Sequence, residues 1–147
     1  MPDPGETGVA SENVEGPLGS GPPSGEFQTM AVEMMPANCW GKSNNPHNSS
    51  HYRGKVAGQG MSYACDYNVP ALAVEVQLWN KGWWGGYDKE GTAVYRKRTW
   101  VREVRASDIT DCHDDTWRTT TFHTGKDRNS RWHSVETIGR GVYVNCP

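Results

Sequence analysis

Apolar and polar residues alternate most cleanly over residues 71–80, where Leu72, Val74, Val76 and Leu78 interleave with Ala73, Glu75, Gln77 and Trp79. A period of two places the first set on one face, so the segment predicts a half-buried strand. A second extended run, "TAVYRKRTWVREVRA" from Thr92 to Ala106, keeps this period until about Thr99–Val101. There the phase slips, as a bulge makes it slip. "TWRTTTFHT", Thr116–Thr124, is rich in β-favouring residues, and "GVYVNCP" predicts a short terminal strand. "YRGKVAGQGMSYACD" reads as two short strands broken around Gly58–Gly60. Turn-rich stretches recur at "NKGWWGGYDKEG", "HTGKDRNSR" and "TIGRG", at the spacing of a sandwich or barrel. No segment carries a helical period. The pattern predicts an all-β chain, an antiparallel Ig-like β-sandwich over residues 37–147.

Residues 1–36 break from this pattern. The first 26, "MPDPGETGVASENVEGPLGSGPPSGE", hold only Val9, Val14 and Leu18 as sizeable apolar groups. They bury too little surface to offset their ordering entropy, which predicts a flexible arm. The stretch at 27–35 differs: Phe27, Met30 and Met34 would share a helix face, whereas Met30, Val32 and Met34 would share a strand face. It is either the first strand of the body or a motif that orders on a partner subunit, where flexible methionines adapt well.

Charge follows the same division. Residues 1–35 carry six acids and no Lys or Arg, whereas residues 36–147 carry 15 basic and 11 acidic residues. A body at +4 lacks the clustered positive charge that nucleic-acid binding requires, so that class is set aside.

Hydrophobic residues make up 35% of the chain, against about 45–50% (Gly included) in ordinary globular proteins. So small a core needs support, and four cysteines supply a source. None stands in a close C-x-x-C pair of the kind structural zinc sites use. Of the three possible pairings, Cys39–Cys65 and Cys112–Cys146 are expected, each joining residues on neighbouring strands. Bridges of that span contribute about 3–4 kcal/mol each on the chain-entropy model, and they imply an oxidising, extracellular location. No apolar run reaches membrane-span length, and the N-terminus lacks a signal peptide's charged start and apolar stretch. The expectation is a mature, secreted chain with an added start Met.

Candidate chemistry is sparse. His47 and His51 are four apart, but the Asn, Ser and Pro around them make a loop, where that spacing confers no shared face. No metal, cofactor or catalytic residue is expected. "DITDCHDDTWR" gathers Asp108, Asp111, His113, Asp114 and Asp115 near Arg118. With His123 and His133 these could serve a small secreted nuclease, His113 acting as base. The alternative is an Asp-rich turn between strands, and a calcium loop's spacing is missing. Cys112 has no base beside it to make it a nucleophile.

Trp83, Trp84 and Tyr87 surround a Gly-rich turn, where they either plug one end of a thin sandwich or contact a protein or glycan. Arg96 and Arg98, with Lys97, Arg102, Arg105 and Trp100 nearby, either guard an edge strand or attract an anionic partner.

"CWGKSNNPHNSSH", a Gly-Lys-Val strand leading to "SYAC", "VEVQLWNKGWWGGY", a mid-chain Cys112, "TWRTTT" and a C-terminal Cys146 together resemble the small secreted four-cysteine proteins of actinobacteria. The resemblance covers about residues 39–147. An acidic arm ahead of a disulfide-closed β module is further similar in layout to the adaptor subunits of Streptomyces umbrella toxin particles. Those adaptors join a lectin-bearing subunit to a toxin-bearing scaffold through a flexible N-terminal extension. The resemblance implies a non-enzymatic adaptor linking secreted protein subunits in an antibacterial toxin complex. A cell-wall glycan-binding module built on Trp83, Trp84 and Tyr87 is the alternative, and the secreted nuclease a third.

Overall fold

The computed structural model describes residues 35–147, together with the backbone of Gly16–Pro17 and Phe27–Thr29. Among the described residues eleven strands follow in order: β1 (Gly16–Pro17), β2 (Phe27–Thr29), β3 (Trp40–Ser43), β4 (His47–Asn48), β5 (Lys55–Tyr63), β6 (Ala71–Lys81), β7 (Tyr87–Arg98), β8 (Val104–Asp111), β9 (Asp115–Lys126), β10 (Trp132–Gly139) and β11 (Val142–Val144). All pairings between them are antiparallel. In one sheet β3 and β4 lie end to end along one side of β5, β8 takes its other side, and β1 adds to β3. In the other, the order is β2–β10–β9–β6–β7, with β11 continuing the β10 side of β9. The chain is the predicted antiparallel β-sandwich. No helix among the described residues is long and apolar enough to cross a membrane.

The alternation on β6 sets the core. Leu72, Val74, Val76 and Leu78 are all fully buried, whereas Glu75 on the other face is exposed. Two apolar clusters result. One gathers Met35, Val69, Leu72, Val74, Val76 and Val104 around Cys39 and Cys65; the other gathers Val56, Leu78, Trp117 and Val144 against Cys112 and Cys146. Both expected disulfides are present. Cys39–Cys65 joins the ends of paired strands β3 and β5, as foreseen. Cys112–Cys146 instead links the end of β8 to the end of β11, which belong to different sheets, so it staples the sandwich across its thickness.

Three local expectations change. The segment 52–66 holds one uninterrupted strand, β5, not two. Gly58 and Gly60 are there because the facing sheet comes too close for a side chain: a Cβ on Gly60 would lie 2.0 Å from Thr121 Oγ1, and one on Gly58 2.4 Å from Thr119 Oγ1. Gly60→Ala should therefore overpack the interior and cost about 1–3 kcal/mol, read as a lower urea midpoint at unchanged slope. An unaffected midpoint would show that the sheets can part freely.

The run at 92–106 is also not one bulged strand. β7 ends at Arg98, Trp100 turns through a left-handed φ of 54°, and β8 starts in the other sheet. The bulge lies earlier, where the register between β6 and β7 shifts between Val76 and Leu78. Gln77 Nε2 donates there to the carbonyls of Leu78 (2.8 Å) and Glu90 (3.1 Å). Finally, the loop around His47 contains a short strand, because His47 and Asn48 pair with Ala57 and Val56.

The arm's apolar stretch resolves in part. Phe27–Thr29 pairs with Thr137–Gly139 of β10, as a first strand of the body does. Met35 is 2% exposed in the core. Met30, Val32 and Met34, and the rest of the arm, lie outside the described residues.

Candidate functional site

The sandwich interior holds a chain of polar side chains that four strands assemble. His123 on β9 is opposite Val74 and Val135, so it faces inward. Its Nδ1 lies 2.8 Å from Ser62 Oγ and its Nε2 2.9 Å from Thr137 Oγ1. Thr137 Oγ1 is 2.8 Å from Ser43 Oγ, which donates to Thr121 Oγ1 at 2.8 Å. Burial depresses the imidazole pKa to about 3, so it stays neutral. A Ser–His contact of this length is the geometry of a nucleophile and its base. Here, however, Ser62 and His123 are both 0% exposed, closed inside the sandwich. The network is cohesion for a sandwich short of aliphatic residues.

Asp108 belongs to the same interior. Its Oδ2 accepts the Leu78 N–H at 2.8 Å, a contact from β8 across to the bulge in the opposite sheet. Burial raises its pKa to about 7, against the lowering effect of backbone hydrogen bonds from Leu78 and Ile109.

The remaining acid and histidine candidates disperse. His113 packs on Trp117 with ring centroids 4.9 Å apart and lies 3.5 Å from Asp115 Oδ2. His133 holds Asp127 Oδ2 at 2.8 Å in the β9–β10 turn. His113 lies beside Asn80 and His123 opposite Val74, six residues apart on β6, about 20 Å at strand rise. Asp114 Oδ1 accepts from the Cys146 N–H at 2.7 Å, and Asp111 pairs with Lys55. These carboxylates brace a turn. His47 turns its Nδ1 to the Asn45 carbonyl, and His51 is exposed beside Tyr52. Among the described residues no three His, Cys, Asp or Glu side chains are placed to hold a metal ion.

The aromatic turn between β6 and β7 divides into three roles. Tyr87 is half-buried, with the Arg118 guanidinium 4.1 Å from its ring centroid. Arg118 also lies 5.9 Å from the Trp79 ring, whose Nε1 donates to Thr120. Trp84 folds back over the turn, its Nε1 directed at Asp88 and its ring so close to Gly86 that a Cβ there would lie 1.9 Å from it. Trp83 is left 99% exposed at the tip. Arg96 and Arg98 lie opposite Val74 and Leu72, on the inward side of β7 near its open edge; Arg96 is half-buried and Arg98 exposed. They do not converge with the hairpin tip.

Sequence reasoning named only part of a grouping of rings and cations found among the described residues. Trp132, Lys126 and Arg128 meet Lys97 and Trp100 at the opposite end of the sheet from the hairpin. Lys97 and Trp100 were marked in the sequence as part of the basic stretch, but nothing there showed that Trp132 and the basic turn "GKDRNSR" would join them.

No protein-family model and no curated protein matches the chain. Among solved structures the chain is similar to one named pT26-6p, with a TM-score of 0.39 and 5% identity, over 82% of this chain and 23% of that one. A likeness that shallow carries nothing about function, which is argued from the surface alone.

Proposed function

We propose that this is a non-enzymatic, secreted interaction module that joins two protein subunits of an extracellular assembly. The observation that carries the reading is Trp83. A large apolar ring held fully in water by a braced hairpin gains nothing for the isolated fold, yet tryptophan is the residue type that most often dominates binding energy once a partner covers it. The hairpin is stiffened for this by Trp84 over Gly86 and by Arg118 against Tyr87. The arm supports a second contact. Its strands β1 and β2 add to β3 and β10 by main-chain pairing, and extended segments of a partner bind open sheet edges in the same way. Two disulfides suit an oxidising, extracellular setting. The resemblance to toxin-particle adaptors points to an antibacterial assembly as the context.

The test uses the full chain, Trp83→Ala, and a chain lacking residues 1–34 but keeping Met35, each immobilised against native culture medium. Two proteins should be captured by the full chain. Trp83→Ala should lose one by at least tenfold at unchanged melting temperature, and the shortened chain should lose the other. If neither variant changes the captured set, the adaptor reading is wrong.

A further inference from the structure

The end of the sandwich opposite the hairpin carries a groove of about 360 Å³, near the lower end of the ~300–1,000 Å³ typical of small-ligand sites. Three separate stretches build it: the start of β6 at Pro70 and Ala71, the end of β7 with the bend after it, and the β9–β10 turn. Trp100 stands in the bend, 63% exposed. Its backbone is held at φ 54°, a conformation that is costly for a bulky residue and survives only where neighbours enforce it. They do: Trp100 N–H donates to the Pro70 carbonyl at 3.3 Å, and Val101 pairs with Val69 through two main-chain bonds of 3.0 and 3.3 Å. The fold thus bears a local strain whose visible result is an indole aimed at solvent beside the groove.

The charges around it are arranged as well. Lys97 and Lys126 bring their ammonium groups to 5.4 and 5.9 Å from the centroid of one ring, Trp132, so two like charges are gathered on a common aromatic. Arg128 adds a third cation, lying 3.9 Å from the Tyr67 centroid. The acid in the lining, Asp127, offsets one of them and leaves an excess of two positive charges. Its Oδ1 accepts the Asn129 and Arg131 N–H groups at 2.8 and 2.9 Å, and its Oδ2 is bonded to His133. The groove is positively charged with a free aromatic face at its rim.

The geometry points to a binding site for an acidic saccharide at this groove. Trp100 supplies the ring against which the C–H face of a pyranose stacks, and Lys97 and Lys126 receive its carboxylate. Charge complementarity selects an anion, and the exposed indole selects a ligand with a flat apolar face. A single-stranded nucleic acid has both properties, but it needs a basic track following several phosphates. Here the cations are confined to one end of a chain with net charge −2. The site is independent of Trp83, lying about 30 Å from the hairpin by the length of β6.

The test titrates the full chain with trigalacturonic acid at low salt, following tryptophan emission and calorimetric heat. Galactotriose, inorganic phosphate, a hexathymidylate and a peptide of residues 1–26 serve as comparators. Trigalacturonate should bind at least tenfold more tightly than galactotriose and weaken as salt is added. Trp100→Gly tolerates the left-handed backbone, so it should keep the melting temperature while reducing affinity at least tenfold. Lys97→Gln with Lys126→Gln should remove the salt dependence. No binding at millimolar trigalacturonate overturns the assignment. So does equal affinity in Trp100→Gly, or binding of the hexathymidylate or the acidic peptide as tight as that of the saccharide.

Discussion

Asp108→Asn should turn a stability profile that is flat between about pH 4.5 and 6.5 into one that falls steadily with added acid. In the native chain of that window Asp108, raised to about 7, keeps its proton, and His123, depressed to about 3, has none. In the unfolded chain the carboxylate has released its proton and the imidazole has taken one up. Both states therefore bind one proton at this pair of sites, and the linkage slope cancels. Each group alone behaves oppositely. The raised carboxyl favours the folded state at low pH and loses that advantage as pH rises from about 4 to 7. The depressed imidazole favours it at high pH and loses that as pH falls from about 6.5 to 3. With asparagine at 108 only the histidine effect survives, and stability should drop by about 1.4 kcal/mol per pH unit of acidification. Asparagine keeps an oxygen for the Leu78 N–H, so the fold should persist. His123→Asn should give the opposite slope, with stability rising as acid is added. Asp111 and Asp127, both lowered by hydrogen-bonded partners, act below this window. Urea midpoints at half-unit steps measure the slopes. Parallel, flat profiles for both variants would mean that neither group is buried as described.

The contrast between these two residues and β6 shows what the sequence could reveal. Leu72 to Leu78 announced their strand because strand burial follows a local period, visible within seven residues. The cysteine pairing was within reach because few thiols leave few choices, although Cys112–Cys146 proved to cross between sheets rather than join neighbours. Asp108 and His123 read as surface chemistry because polar residues usually are on the surface, and the groups that satisfy them lie on strands distant in sequence. His123 needs Ser62 and Thr137; Asp108 needs the bulge at Leu78. Gly58 and Gly60 were misread for the same reason. A glycine within a strand marks either a break or a close approach, and only the facing Thr119 and Thr121 decide which. The groove was hidden likewise, because Trp100 and Trp132 meet only after β7 and the β9–β10 turn reach one end of the sheet.

The two disulfides should separate under mild reduction, with consequences for the two ends of the molecule. Chain spans of 26 and 34 residues imply losses of about 3.5 and about 3.8 kcal/mol on the entropy model, a large share of the ~5–15 kcal/mol expected of a domain. The loop entropies barely differ, so burial decides the order. Cys39 and Cys65 are 0% and 5% exposed, inside the larger apolar cluster, whereas Cys112 and Cys146 are half-buried at the rim of the smaller one. A water-soluble reductant in native buffer should open Cys112–Cys146 first, and alkylation followed by peptide mapping should find label at those two positions alone. Cys39–Cys65 should yield only when the chain unfolds, and Cys39→Ala with Cys65→Ala should cost more than the second pair because it also empties part of the core. Cys112 adjoins His113, whose ring rests near Asn80 at the base of the β6–β7 hairpin. Opening that bridge should therefore weaken partner capture through Trp83 while leaving the groove at Trp100 intact. Simultaneous labelling of all four cysteines would show that the two bridges open together, and unchanged capture through Trp83 after Cys112–Cys146 opens would show that the hairpin owes nothing to the staple beneath it.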